Sequence, residues 1–124
     1  MLKLKTKWFN KWSKKNFITD EKLLDTIKNI SNNLGVVNLG SSLCKVRTQK
    51  IGKGKRSSFR TFVVYKKDDI AIFIYGFSKN DKSNLDNEEL IDIKRLSKEY
   101  LSINRQDYLK LLASGDMISI KEEL

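Results

Sequence analysis

The sequence contains no histidine and no proline, and its one cysteine is Cys44. A lone cysteine closes no intramolecular disulfide. Without histidine beside it, the common zinc ligand sets and the histidine-based catalytic triads are excluded. Its neighbours Leu43 and Val46 suggest a core or sheet position. Long apolar runs are also missing: none nears the ~20 residues of a membrane span, and no apolar signal core follows the lysine-rich N-terminus. Nor is there a linker, a repeat or a low-complexity segment. These absences predict a soluble cytoplasmic protein that uses neither metal nor small-molecule cofactor and has no membrane partner. The 124 residues fit one domain, 1–124, and folding such a chain buries roughly two-thirds of its surface without needing a disulfide or a metal.

Acidic residues are absent where basic ones gather. From Thr26 to Lys67 there is no Asp or Glu, against ten Lys or Arg. Residues 80–124 hold ten acids against seven bases, so the net charge of +10 resides in the middle third. Charge concentrated in this way reads as a surface for a polyanion, with nucleic acid ahead of an acidic protein partner or a merely solvated face.

Leu2 to Thr6 alternates apolar and basic residues, as a short edge strand does. Trp8 to Lys15 reads as a short helix with Trp8 and Trp12 one turn apart on one face. Thr19 or Asp20 caps a second helix, whose stripe is Leu23, Leu24, Ile27, Ile30 and Leu34 and whose C-cap glycine is Gly35. Strands are predicted at Leu43–Thr48 and Phe59–Lys66. The unbroken apolar run Ile70–Phe77 predicts a central strand buried on both faces. Asp86 and Glu89 resemble a capping box opening a helix with Leu90, Ile93, Leu96 and Tyr100 inward. Asn104 starts another helix, Gly115 ends it, and Met117 to Ile120 form a small strand or a docked tail. The fold class is α+β: a small, mostly antiparallel sheet, an N-terminal helical pair packed on one face, and C-terminal helices.

The candidate chemistry lies in Cys44-Lys45-Val46-Arg47, the loop Lys50-Ile51-Gly52-Lys53-Gly54-Lys55-Arg56, and Phe59-Arg60-Thr61. Residues two apart on a strand share a face, so Lys45 and Arg47 point the same way. The loop is not a P-loop, since it lacks the spacing and the Ser/Thr after the lysine. Its glycines still let the backbone approach a phosphate, and Lys50, Lys53, Lys55 and Arg56 are read as RNA-binding. Arg60 interrupts an apolar strand; the alternatives are a snorkelling edge residue or a partner for a helix carboxylate. Histidine-free RNA cleavage requires a proton acceptor, a holder for the charged phosphorane and a proton donor. Clustered lysines supply the first and last by lowering one another's pKa, and arginine grips phosphate bidentately. Trp8, Phe9 and Trp12 are read chiefly as core, with base stacking or a membrane-surface helix as alternatives.

Several phrases in order resemble the RelE/HigB-like toxins of the RelE/ParE superfamily. These are Lys5-Thr6-Lys7-Trp8-Phe9, Lys11-Trp12, Asn38-Leu39-Gly40, Lys45-Val46-Arg47, Gly52-Lys53-Gly54-Lys55, Arg60-Thr61, Ile74-Tyr75-Gly76-Phe77-Ser78-Lys79-Asn80 and Leu111-Leu112-Ala113-Ser114-Gly115-Asp116. Together they run from Met1 to about Ile120. The resemblance implies a RelE-like fold with basic residues on the sheet face away from the helical pair. It further implies ribosome-dependent endonucleolytic cleavage of messenger RNA that arrests translation. Implied as well is a cognate antitoxin, a small helix-turn-helix DNA-binding protein. Among the catalytic residues it implies, Lys45 and Arg47 match the family's paired basic residues on one strand, Arg60 matches the arginine of the next, and Lys79 and Lys82 fall near the basic positions after the central strand. Asn84, Leu85 and Asp86 stand where many relatives carry a tyrosine or histidine, which leaves the proton-transfer partner unassigned. Two alternatives accompany this reading: a non-catalytic toxin of the same fold acting on another target such as gyrase, and a plain RNA-binding module.

Overall fold

A computed structural model describes residues 1–49, 58–82 and 84–122. The chain runs through β1 (Leu2–Thr6), α1 (Lys7–Lys15), α2 (Asp20–Ser31), β2 (Val36–Gly40), β3 (Leu43–Gln49), β4 (Ser58–Lys66), β5 (Ile70–Ser78), α3 (Asn87–Ser102), α4 (Arg105–Ser114) and β6 (Met117–Ser119). The six strands form one sheet in the order β2-β3-β4-β5-β1-β6. All neighbours are antiparallel except β1 and β5, which pair in parallel. The fold is α+β, as predicted.

Alternation along β3 and β4 feeds two cores. Cys44, Val46, Phe59 and Val63 face α1 and α2, where Phe9, Leu23 and Ile27 meet them. Leu43, Phe62 and Val64 face the other way, onto Ile93 of α3 and Tyr108 of α4. The sheet is therefore a middle layer, and β5, apolar but for Tyr75 and Ser78 and buried at every position except the half-buried Tyr75, is covered on both faces as its composition requires. Thr6, Thr19, Asp86 and Asn104 each cap a helix by accepting a backbone N–H three residues on. Asp86 and Glu89 complete the expected capping box, and Gly115 ends α4 in the left-handed region at φ +83°.

Four expectations are corrected. First, β1 is not an edge strand, because β6 pairs with its outer side. Its lysines meet carboxylates: Lys3 pairs with Glu122 at the surface, and Lys5, 5% exposed, lies 2.6 Å from Asp20. Alternating polar positions do not distinguish solvent from a covering acid. Second, α2 ends at Ser31, not at a Gly35 cap. Asn33, at φ +54°, takes the left-handed position, and Leu34 N–H donates to the Asn29 carbonyl at 2.8 Å, which is a Schellman closure. Leu34 is consequently off the stripe and 58% exposed. Third, Val36–Gly40 forms a strand that the sequence reading left unassigned. Fourth, Trp8 is not core: Phe9 is fully buried and Trp12 packs on the inner cluster, whereas Trp8 is 47% exposed.

Candidate nucleic-acid interface

Lys45 and Arg47 alternate with the buried Cys44 and Val46, so they lie on the sheet face away from α1 and α2. Across the ladder Lys45 stands opposite Phe62, and Arg47 opposite Arg60. The next strand continues both rows, with Tyr75 opposite Phe62 and Phe77 opposite Arg60. Arginines directly across an antiparallel pair repel each other. No carboxylate lies within ion-pair distance of Lys45, Arg47 or Arg60 among the described residues. Arg60 instead donates to Ser58 Oγ at 2.8 Å. Its guanidinium pKa is pushed down by burial and, less strongly, by the charge of Arg47. The carboxylate partner considered for Arg60 is thus absent among the described residues, and β4 is an inner strand rather than an edge.

The β2 register ends at Val36 opposite Val46. Beside that end lies a cleft of about 700 Å³, lined by Lys22 and Asp25 of α2 together with Val37, Lys45, Arg47 and Arg60. Beneath it the two strands are tied to the helix by hydroxyls: Thr48 is 3.0 Å from Thr26 and 3.1 Å from Thr61. Because Thr48 and Thr61 follow Arg47 and Arg60 in the chain, this buried relay fixes the strand segments that carry both arginines.

Lys79 is exposed, and its backbone N–H reaches the Ser58 carbonyl at 3.4 Å, at the same end of the sheet as Arg60. Lys82 is drawn toward α3, where its ammonium donates to Glu89. That hydrogen bond is the main reason its pKa is raised, with Glu89, Tyr75 and Asp86 adding electrostatic support. Lys50, Lys53, Lys55 and Arg56 lie outside the described residues. Asn84 and Asp86 serve structure: Asn84 Oδ1 accepts the Leu85 N–H, and Asp86 caps α3. Tyr75 is a residue that sequence reasoning missed. It is half-buried on the Lys45–Phe62 row, within electrostatic reach of Lys82. It is the only residue with a titratable side chain in the run Ile70–Phe77, and that was the available signal.

Cys44 is buried, and burial pushes its thiol up to about 12, so it carries no thiolate chemistry near neutral pH. No group of three His, Cys, Asp or Glu able to hold a metal occurs among the described residues. No helix among them is long and apolar enough to cross a membrane.

These features define a class, a small basic α+β protein with a cationic row on one sheet face. A family model described as the RelE toxin of the RelE/RelB toxin–antitoxin system matches residues 1–120. The chain belongs to that family: it is the toxin of a toxin–antitoxin pair, and a cognate antitoxin is its implied partner. Comparison with individual curated proteins gives no match.

Proposed function

We propose that this toxin is an endoribonuclease that cuts messenger RNA on the ribosome and so arrests translation. Its antitoxin, in this reading, is a small helix-turn-helix DNA-binding protein. The observation that carries the proposal is the opposed pair Arg47–Arg60 with Lys45 one row away, three cations that have no carboxylate partner among the described residues.

A scissile phosphate between the two guanidiniums receives several charge-assisted hydrogen bonds, strongest as charge builds on the phosphorane. The 2′-oxygen attacks phosphorus as its proton leaves, and the bond from phosphorus to the 5′-oxygen breaks as that oxygen gains a proton. Lys45 is the group assigned to the 2′-hydroxyl proton, because it is the lysine one row from the opposed arginines on the same sheet face. Lys79 and Lys82 belong to the same set. Lys82, held charged by Glu89, suits electrostatic stabilisation better than proton transfer. Lys50, Lys53, Lys55 and Arg56 are assigned to tracking the RNA backbone.

One observation favours a second reading. Asp86 caps α3 and Lys82 is paired with Glu89, so the segment where relatives carry a proton-transfer side chain is committed to structure. A toxin with the same cationic face that binds a target without cleaving RNA fits that arrangement. Expression without antitoxin, followed by mapping of transcript 5′ ends, separates the two. Growth arrest with new internal ends is the expected result. Arrest with intact messenger RNA transfers the assignment to the non-catalytic toxin, and normal growth in a host lacking any related antitoxin sinks both.

A further inference from the structure

We propose that Trp8, backed by Tyr75, is a stacking subsite for an unpaired nucleobase of single-stranded RNA beside the Arg47–Arg60 phosphate grip. The proposal rests on the RNA reading above and adds the part of the substrate that the cations do not recognise. Helix α1 carries three aromatic residues with different fates. Phe9 is fully buried, Trp12 packs on the inner core, and Trp8 remains 47% exposed. The apolar face of α1 is thus already in use, and folding does not account for the third ring.

Its orientation is nevertheless held. Trp8 stacks on Tyr75 with centroids 4.9 Å apart, and on Trp12 at 6.0 Å with planes 11° apart. A platform fixed in advance loses little entropy when a base lands on it. Its place is equally specific: Tyr75 lies on the row Lys45–Phe62–Tyr75, two strands and ~10 Å from Lys45. The cations of β3 and β4 and the ring of Trp8 thus stand toward the two ends of one cross-strand row, with the buried Phe62 between them. On the other side, exposed Lys7 and Lys11 flank Trp8 in a helix that contains no acid. Lysine around an aromatic platform matches the alternating phosphate and base of a single strand. A helix lying in a membrane surface needs a continuous outward apolar face, and Phe9 and Trp12 of α1 point inward instead.

The test compares wild type, Trp8→Ala and Trp8→Phe at low salt. The probes are a short 2′-O-methyl oligoadenylate, which cannot be cleaved, and an abasic strand with the same number of phosphates. Trp8→Ala is expected to weaken oligoadenylate binding about 5- to 150-fold, the range that one stacked base contributes. Trp8→Phe should recover most of it, and the abasic strand should bind all three proteins alike. Melting curves check the fold, and Trp8→Leu replaces Trp8→Ala if the latter does not melt cooperatively. Equal oligoadenylate affinity in all variants overturns the stacking subsite and leaves the RNA reading standing. Failure of wild type to bind either strand also overturns the stacking subsite, and cleavage on the ribosome is then decided separately by the mapping of transcript 5′ ends. A tryptophan blue shift on anionic vesicles, lost in Trp8→Ala and unaccompanied by base-dependent RNA binding, gives Trp8 to a membrane surface and likewise overturns the proposal.

Discussion

Arg47 and Arg60 stand directly opposite each other on β3 and β4, with no acid among the described residues to neutralise either. Like charges in that position oppose folding by about 0.2–1 kcal/mol. The same geometry becomes attractive when an anion sits on both guanidiniums.

Stability and function should therefore separate at this pair. Arg47→Ala is expected to leave the melting temperature unchanged or raise it by a few degrees, in line with up to about 1 kcal/mol of relieved repulsion. Arg47→Ala with Lys45→Ala, and Arg60→Ala alone, should each abolish toxicity in cells. Thermal melts and growth assays on the same variants decide the matter. Unfolding of Arg60→Ala would assign its bond to Ser58 a structural role and withdraw Arg60 from the site.

Alkaline conditions should weaken the fold, and the sign follows from three neutral groups that burial protects. The Cys44 thiol rises from 9.0 to about 12, and the Tyr108 phenol from 10.0 to about 12, chiefly through burial. Tyr100 moves the same way, for the same reason first and Glu99 second. The folded state thus retains protons that the unfolded chain releases, so the stabilisation is complete below pH ~9 and is lost as pH climbs toward 12. Cys44 and Tyr108 each contribute a decline of up to about 1.4 kcal/mol per pH unit in their windows, and Tyr100 adds in the same direction. Urea unfolding at several alkaline pH values measures the slope, and Cys44→Ala should delay its onset by about one unit. Rapid alkylation of Cys44 in the native protein at neutral pH would contradict its assigned burial.

What was legible in the sequence was local. The run Ile70–Phe77 demanded burial on both faces, and Asp86 with Glu89 announced a helix start whatever surrounds it. What was not legible depended on contacts between distant segments. The place of β1 follows from its parallel pairing with β5, which no short-range pattern encodes. Strand β2 escaped because its turn uses Ser41 and Ser42 at φ +56° and +58°, without the Asn-Gly or Asp-Gly that marks such hairpins. Within the site, Lys45, Arg47 and Arg60 could be read from strand alternation in an acid-free stretch. Tyr75 could not, because its apolar neighbours make it look like core, and the Lys82–Glu89 pair joins residues on either side of the α3 cap.

Gly76 should resist enlargement. A Cβ built there sits 2.5 Å from the Trp12 indole. Trp12 is itself held by Phe9 and by an edge-on contact with Phe59 at 5.2 Å, so it has little room to retreat. Gly76→Ala is expected to destabilise by about 1–3 kcal/mol, as overpacking does elsewhere. Chemical unfolding gives the value directly. A change under ~0.5 kcal/mol would mean that the indole shifts freely and that α1 is loosely seated.

Lys50, Lys53, Lys55 and Arg56 should supply affinity and leave the chemistry to Arg60. Their spacing around Gly52 and Gly54 suits a backbone that follows phosphates, whereas Arg60 is fixed on an inner strand beside Arg47. For single-stranded RNA each neutralised phosphate contributes a salt slope of roughly −0.7. Converting all four residues to alanine should weaken RNA or ribosome binding and flatten the salt dependence by up to about three units. The rate of bound-substrate cleavage should fall far less than in Arg60→Ala if, as proposed, developing phosphorane charge is held at the opposed arginines. Binding isotherms at several salt concentrations, paired with single-turnover cleavage at saturating protein, test both halves. An unchanged salt slope with a collapsed single-turnover rate would place the four residues in the catalytic set and overturn this division of labour.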